Sequence, residues 1–449
     1  MPIDPNALPA QVRDTLNCLH RAGHEAWIVG GCVRDLLLGR TPTDYDITTS
    51  ALPGQTQAVF RDRRVLETGI RHGTVTLLAE GMPLEITTYR VDGTYSDARH
   101  PDGVTFTASL REDAARRDFT INAMAYAPGL GLRDYFGGQA DLSRRLIRAV
   151  GDPDQRFRED ALRVLRAIRF AAVLGFDLEE ETAGAARRQA AGLEKVSAER
   201  VFQELSKLLC GPKAGQVLLA YPDILGQVIP ELLPMVGFDQ HSRHHCYDVY
   251  THTAVAVDHV PPRLGLRLAM LFHDIGKPDT FSLGEDGQGH FYGHHRRSME
   301  LAEEILRRLR APKKLREEVV TLVRYHDAPI EEDPARLRRW LHKLGPERFF
   351  ALLDIQRGDA AGQGLAYCTR IQRADRLESL ARGLLAQAPC LTLAGLAVNG
   401  RDLLALGYRG PALGRALQGL LEEVLAGRLP NEKSALLQWA KENDAKKEE

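Results

Sequence analysis

Net charge is almost absent from this 449-residue chain: 59 Lys and Arg face 60 Asp and Glu, which leaves −1. A nucleic-acid partner usually leaves a basic footprint, so the total argues weakly against one, although it averages over several domains. Cysteine is sparse and scattered, and Cys18, Cys32, Cys210, Cys246, Cys368 and Cys390 form no CxxC pair. That pattern speaks against a disulfide scaffold or a thiolate zinc site and suits a reducing cytoplasm. No uninterrupted apolar run reaches the ~18–20 residues that cross a bilayer. The opening residues lack both the basic and the apolar region of a secretory signal. The remainder is ordinary for a soluble protein, with 44% hydrophobic and 27% charged residues. At roughly 150 residues per domain the length predicts two to four domains, large enough to build apolar cores.

The order of elements is legible from periodicity. Residues 8–20 predict an amphipathic helix and Ala26–Val29 a short strand running into Gly30-Gly31. Val33–Leu38 predicts a helix, and Asp44–Thr48, Gly73–Leu78 and Pro83–Arg90 predict strands, the last two rich in β-branched residues. Asp92–Asp102 is a polar Gly/Asp/Pro loop. Beyond about residue 155, helical periodicity dominates. The chain therefore predicts a mixed head followed by a long helical body.

Strand, Gly30-Gly31, helix is an anion-binding design: glycines let the backbone approach a phosphate, and free N–H groups at a helix start point toward it. Arg34 adds a charged donor one turn later. Two glycines after a strand are often only a turn. Asp44 and Asp46 sharpen the reading, because residues i and i+2 of a strand share a face and paired carboxylates suit Mg²⁺. Acids on a solvated edge strand would look alike in isolation, but these follow Arg34 by ten residues. Glu85, on another predicted strand, is a candidate third carboxylate or an exposed strand residue.

These residues carry a resemblance. Gly30 to Arg40 followed by Asp44-Tyr45-Asp46 resembles the first motif of class II nucleotidyltransferases, which comprise tRNA CCA-adding enzymes and bacterial poly(A) polymerases. Further blocks follow in the family's order. Arg71–Val75 is similar to its second block, Asp92–Arg99 to its flexible loop, Arg116–Ala123 to its head-to-neck motif, Glu159–Arg163 to its nucleotide-selecting helix and Ser197–Arg200 to its neck motif. The resemblance implies an α+β fold and Mg²⁺ held by Asp44 and Asp46. It implies Gly30, Gly31, Arg34, Arg117, Arg166 and Arg169 around the incoming nucleotide, with Asp118 and Asn122 at its ribose. Asp160 and Arg163 would select CTP and ATP, and Asp97 and Arg99 in the loop would favour complete CCA addition to tRNA. Poly(A) polymerase or A-adding activity is the alternative within the family.

The neck also has a reading of its own. Glu159 and Arg163 lie four apart, which predicts a shared helical face, and Asp160, Arg163, Arg166 and Arg169 recur every three residues. A salt-bridged surface helix is the plain explanation. A carboxylate beside a guanidinium could also read an amino group beside a ring acceptor, the pattern common to cytosine and adenine. Eight arginines fall between Arg144 and Arg169 against four acids, so basic charge is local rather than absent.

Nine of the fifteen histidines lie between His241 and His295. Imidazoles with carboxylates suit Ni, Co, Mn or Zn. Phe272–Lys277, with its His-Asp pair, resembles the HD phosphohydrolase superfamily. That resemblance implies a metal site of His252, His273, Asp274 and Asp359, with His294 and His326 as candidates for a second, and keeps a phosphohydrolase as the competing reading of the whole chain. The expected organisation is a head over 1–140, a helical neck over 141–235, an HD domain over 236–375 and a tRNA-body-binding tail over 376–449.

Overall fold

In a computed structural model of the chain, residues 3–67, 69–93, 104–241, 246–363, 368–387 and 390–443 are described. Contacts divide the chain into two compact units, Met1–Pro230 and Glu231–Glu449.

In the first unit, α1 (Ala10–Arg21) buries Val12, Leu16 and Leu19 at helical spacing. β1 (Ala26–Val29) is four consecutive apolar residues, all buried. It ends at Gly30, whose φ of 80° suits glycine, and turns directly into α2 (Gly31–Leu37). β2 (Asp46–Thr49), α3 (Pro53–Val59), β3 (Val65–Leu66), β4 (Thr74–Ala79) and β5 (Met82–Thr88) follow. β6 (Arg90–Asp92) and β7 (Val104–Phe106) form a separate antiparallel ribbon. Then come α4 (Leu110–Ala115), β8 (Met124–Ala127) and β9 (Gly131–Asp134). Seven strands make one sheet in the order β3-β4-β5-β2-β1-β8-β9. Its neighbours are antiparallel except β2 and β5, which run parallel. β4 alternates as a half-buried strand must, with Val75, Leu77 and Ala79 inward.

Helices complete this unit: α5 (Gly138–Arg144), α6 (Pro153–Glu159), α7 (Leu162–Leu174), α8 (Glu180–Gln189), α9 (Ala198–Leu209), α10 (Ala214–Ala220) and α11 (Pro222–Leu225). α7 packs along α9, whose Val201, Leu205, Leu208 and Leu209 form a buried stripe. The expected single helix through Glu159 and Arg163 is broken. α6 ends at Glu159, Asp160 is extended, and α7 starts at Leu162. The cause is local: the Asp160 carboxylate accepts from the Leu162 backbone N–H at 3.1 Å, a turn that competes with helix. Asp44 likewise falls two residues ahead of β2 rather than within it.

The second unit is almost wholly helical. It contains α12 (Val249–Asp258), α13 (Leu264–Phe272), α14 (Lys277–Thr280), α15 (His294–Arg308), α16 (Lys313–Tyr325), α17 (Pro334–Leu344), α18 (Pro346–Gly362) and α19 (Cys368–Ala386). α20 (Gly400–Ala405), α21 (Gly410–Leu425) and α22 (Lys433–Glu442) close around their own core, centred on Leu403, Leu420, Leu421 and Leu436. The expected boundaries after 140 and 375 fall inside α5 and α19.

Candidate functional site

The head's acids gather at the edge of the Gly30 turn. β2 and β5 pair in parallel with Asp46 opposite Glu85, so these two carboxylates are neighbours on one face. Asp44, Asp46 and Glu85 all stay exposed. Lost hydration pushes the Asp46 carboxyl up to about 6, Asp44 and then Glu85 add like charge, and Arg117 opposes them. Cys32 lies behind this site, its thiol pushed up to about 12 by burial and by Asp46. Uncompensated, hard-oxygen charge of this kind fits Mg²⁺.

Arg117 reaches the same turn from α4's end. A Cβ on Gly30 would stand 3.4 Å from an Arg117 guanidinium nitrogen and 3.9 Å from Asp46 Oδ2, so glycine leaves the space these groups need. Arg34 is buried and donates to Asn122 Oδ1 at 2.9 Å and to Asp35 Oδ1 at 2.9 Å. Asn122 in turn donates to Asp118 Oδ1 at 3.2 Å.

Beside this cluster is a cavity of about 250 Å³ lined by Arg116, Arg117, Asp118, Asp160, Leu162, Arg163, Arg166 and Arg200. Arg166 Nε donates to Asp118 Oδ2 at 2.9 Å. Burial would raise the Asp118 carboxyl, but Arg166 outweighs it and holds it at about 2. Asp160 and Arg163 both line the cavity, yet they do not pair with each other here. Asp160 Oδ2 accepts from Arg200 at 2.7 Å, while Arg163 donates to Glu159 Oε2 at 2.8 Å and to the Arg116 carbonyl at 3.2 Å. The two opposite charges are thus fixed separately at one wall. Arg169 is placed elsewhere: it is buried, donates to Glu204 Oε2 at 2.8 Å and stacks on Phe170. Asp97 and Arg99 lie outside the described residues.

Two buried acids escaped the motif reading, and one arginine of the neck motif gains a role. Asp113 and Glu204 are buried acids that anchor the arginines, and Arg200 fixes Asp160. Glu204 had a signal in the sequence, since it interrupts the apolar stripe of α9.

In the second unit, α12, α13, α15, α16 and α18 bring the predicted histidines together. His252, His273 and Asp359 form one set whose donor atoms lie within 4.8 Å of one another, and Asp274, His294 and His326 form another. Asp274 spans both, with Oδ2 3.2 Å from His273 and Oδ1 3.6 Å from His294. A third set, His294, His295 and Asp327, is more open. Among the described residues Asp44, Asp46 and Glu85 are not such a set. Nδ1 of His273, His294 and His326 each lies at a backbone carbonyl, 2.7, 2.9 and 2.7 Å away. Their Nε2 atoms therefore turn inward, and Nε2 pairs face each other at 3.2 Å (His252–His273) and 3.3 Å (His294–His326). Inward lone pairs, each backed by a carbonyl, are what a metal-ligating histidine requires. Burial disfavours charge on His273, but Asp274 and then Asp359 outweigh it and raise it to about 10. The two buried carboxylates thus demand positive charge, which a divalent cation can supply instead of a proton. Lys277, which closes the Phe272–Lys277 block, gives part of it, 2.7 Å from Asp274 Oδ2. It sits three residues after Asp274, the spacing that brings side chains together on one helical turn.

Comparison with known proteins follows the same division. Residues 26–148 match the Poly A polymerase head domain, 175–235 the RNA and SrmB-binding site of polymerase A, and 294–440 tRNA nucleotidyltransferase domain 2. A CCA-adding enzyme from Levilactobacillus brevis is 35% identical over 427 residues, 95% of this chain and 96% of that protein. One from Geobacillus thermodenitrificans is 50% identical over 200 residues, 44% of this chain and 49% of the relative, about half its length. The crystal structure of the Bacillus stearothermophilus CCA-adding enzyme in complex with CTP is similar with a TM-score of 0.74 at 28% identity, covering 98% of each chain. Among the described residues no helix is long and apolar enough to cross a membrane.

Proposed function

The chain belongs to the CCA-adding enzymes, and we propose that it adds C, C and A to the 3′ end of tRNA from CTP and ATP without a nucleic-acid template. The observation that carries this reading is the cavity wall on which Asp160 and Arg163 stand together while each is held by a different partner. Cytosine and adenine both present an amino group beside a ring acceptor. The carboxylate accepts from the first and the guanidinium donates to the second. Uracil and guanine present a carbonyl beside a ring N–H, which reverses both contacts and leaves buried polar groups unpaired.

The other residues divide the work of positioning. Asp44 and Asp46 hold Mg²⁺ with Glu85 beside them. Bound there, Mg²⁺ supplies the charge that activates the RNA 3′-hydroxyl and stabilises departing pyrophosphate. Gly30 and Gly31 let the triphosphate approach the backbone at the start of α2, and Arg117 reaches it from the other side of the turn. Asp118 and Asn122 orient the ribose, and Arg166 sets Asp118. Arg34 acts by fixing Asn122, and Arg169 by fixing Glu204 behind α7. The deciding assay incubates the purified protein with tRNA lacking CCA and single labelled nucleotides. CTP followed by ATP should be incorporated with Mg²⁺. Failure to incorporate CTP would sink the reading, and sustained elongation with ATP alone would indicate a poly(A) polymerase instead.

The histidine cluster supports a second site on the same chain. His252, His273, Asp274 and Asp359 hold a divalent transition metal, Ni, Co, Mn or Zn, with His294 and His326 completing a neighbouring position. Such an ion supplies Lewis acidity toward phosphoester oxygens. Elemental analysis of the purified protein tests this: metal below one-tenth of an equivalent after dialysis against each ion would remove the site from consideration.

A further inference from the structure

Asp113 lies in α4, completely buried and outside the residues that line the nucleotide cavity. Its two oxygens gather four residues from three separate places. Oδ1 accepts from Arg116 Nε and Nη2 at 2.9 and 2.8 Å and from the Arg90 backbone N–H at 3.4 Å. Oδ2 accepts from the Thr48 hydroxyl at 3.1 Å and from Arg117 Nη2 at 3.3 Å. Thr48 stands two residues beyond Asp46 on β2 and shares its face. Arg90 opens β6, the strand that leads to residues 94–103. Arg117's other terminal nitrogen is the one against Gly30, so a single guanidinium spans Asp113 and the phosphate turn. The spacing explains the pairing: Arg116 and Arg117 lie three and four residues after Asp113, on the same side of the helix end.

Charge accounts for why an acid is placed there. Adjacent guanidinium groups repel, and a buried carboxylate is costly without compensation. Burial opposes ionisation of Asp113, yet Arg116 and then Arg117 hold its carboxyl below the ordinary value. One negative charge against two positive ones leaves one positive charge over, facing the cavity that both arginines line.

We propose that Asp113 is a positioning residue for nucleotide addition, holding Arg117 against the Gly30 turn and tying that guanidinium to the strand that bears Asp46. The proposal rests on the nucleotidyltransferase reading above. Asp113 touches no substrate; it acts through Arg117. A merely structural ion pair would change stability alone, whereas this role couples Asp113 to Arg117 in catalysis.

The test is a double-mutant cycle in the full chain. Asp113→Asn, Arg117→Ala and the double variant are compared by kcat and KM for CTP addition to tRNA lacking CCA, with Tm recorded for each. Asp113→Asn is expected to lower kcat/KM by roughly tenfold to a hundredfold, as misplacement of a positioned group does. In the Arg117→Ala background the same change should cost almost nothing. Additive losses, or unaltered kcat/KM in Asp113→Asn, would overturn the proposal. Should Asp113→Asn not fold, Thr48→Val removes one of its hydrogen bonds without changing charge, and its loss must likewise vanish in the Arg117→Ala background. The unaltered protein separates the two readings: if it adds no CTP, the function and this proposal fall together. If it adds CTP but the cycle is additive, only the proposal falls.

Discussion

Two clusters of acids in this protein solve the same electrostatic problem in opposite ways. In the head, Asp44, Asp46 and Glu85 keep exposed surface, and Asp46 is raised first by lost hydration and then by the like charge of Asp44 and Glu85, which no buried partner cancels. In the helical unit, Asp274 and Asp359 are buried, and imidazoles with Lys277 and Arg370 surround them. An open site with unbalanced charge is completed by what enters it and leaves with each turnover. A buried site with converging donors is built to keep its ion. Under the functions proposed above, the first would take a substrate-linked cation and the second a resident one.

Removing a ligand from each cluster gives the largest effects. Asp46→Asn should lower incorporation of both CTP and ATP roughly a thousandfold, because several kcal/mol of charge stabilisation is lost. Activity of Asp46→Asn within tenfold of the unaltered protein would break the comparison on the open side. Asp274→Asn should weaken transition-metal binding by about a hundredfold or more, since Asp274 faces both ligand sets. Calorimetric titration with Ni²⁺ measures it, and unchanged affinity would show that Asp274 is not a ligand. CTP addition by the same variant should survive, because the residues around the nucleotide cavity belong to the other unit.

Smaller effects sharpen the picture of the open site. Arg163→Ala should raise misincorporation of UTP relative to CTP by about tenfold to a hundredfold, the usual weight of a buried hydrogen bond to a base. Competition between the two nucleotides reads this directly, and an unaltered ratio would transfer selection to other residues. The pH dependence is gentlest. With a carboxyl raised from 3.8 to about 6, the folded, metal-free head binds a proton that the unfolded chain gives up. Ionised Asp46 therefore costs stability above about pH 6, and the cost disappears as the pH falls toward 3.8. Mg²⁺ competes with that proton, so its half-saturating concentration should rise about tenfold per pH unit below the raised value. Half-saturation that stays flat between pH 7 and pH 5 would place the titrating group elsewhere.

The ordered blocks of charged and glycine residues made most of the head's site legible in advance. Gly30-Gly31 joins a strand to a helix, and Asp46 and Glu85 stand on strands, as their local patterns predict, while Asp44 falls ahead of its strand. The neck was read less well. Asp160 interrupts the helix by bonding to Leu162, a competition between side chain and backbone that periodicity does not register. Arg169 fits the motif but is drawn to Glu204, an acid thirty-five residues away.

By itself the sequence determined the chemistry: which residue types lie along each element, where glycines let the backbone approach a phosphate, and which histidines and acids could bind a cation. Those follow from local spacing and from side-chain chemistry. Only the tertiary structure decided partnership. It placed Glu85 opposite Asp46 through the parallel pairing of β2 with β5, drew Asp160 to Arg200 forty residues away, and brought Thr48 and Arg90 to the carboxylate of Asp113. The physical reason is that electrostatic partnership depends on distance through space and on burial, both set by the packing of elements far apart in the chain.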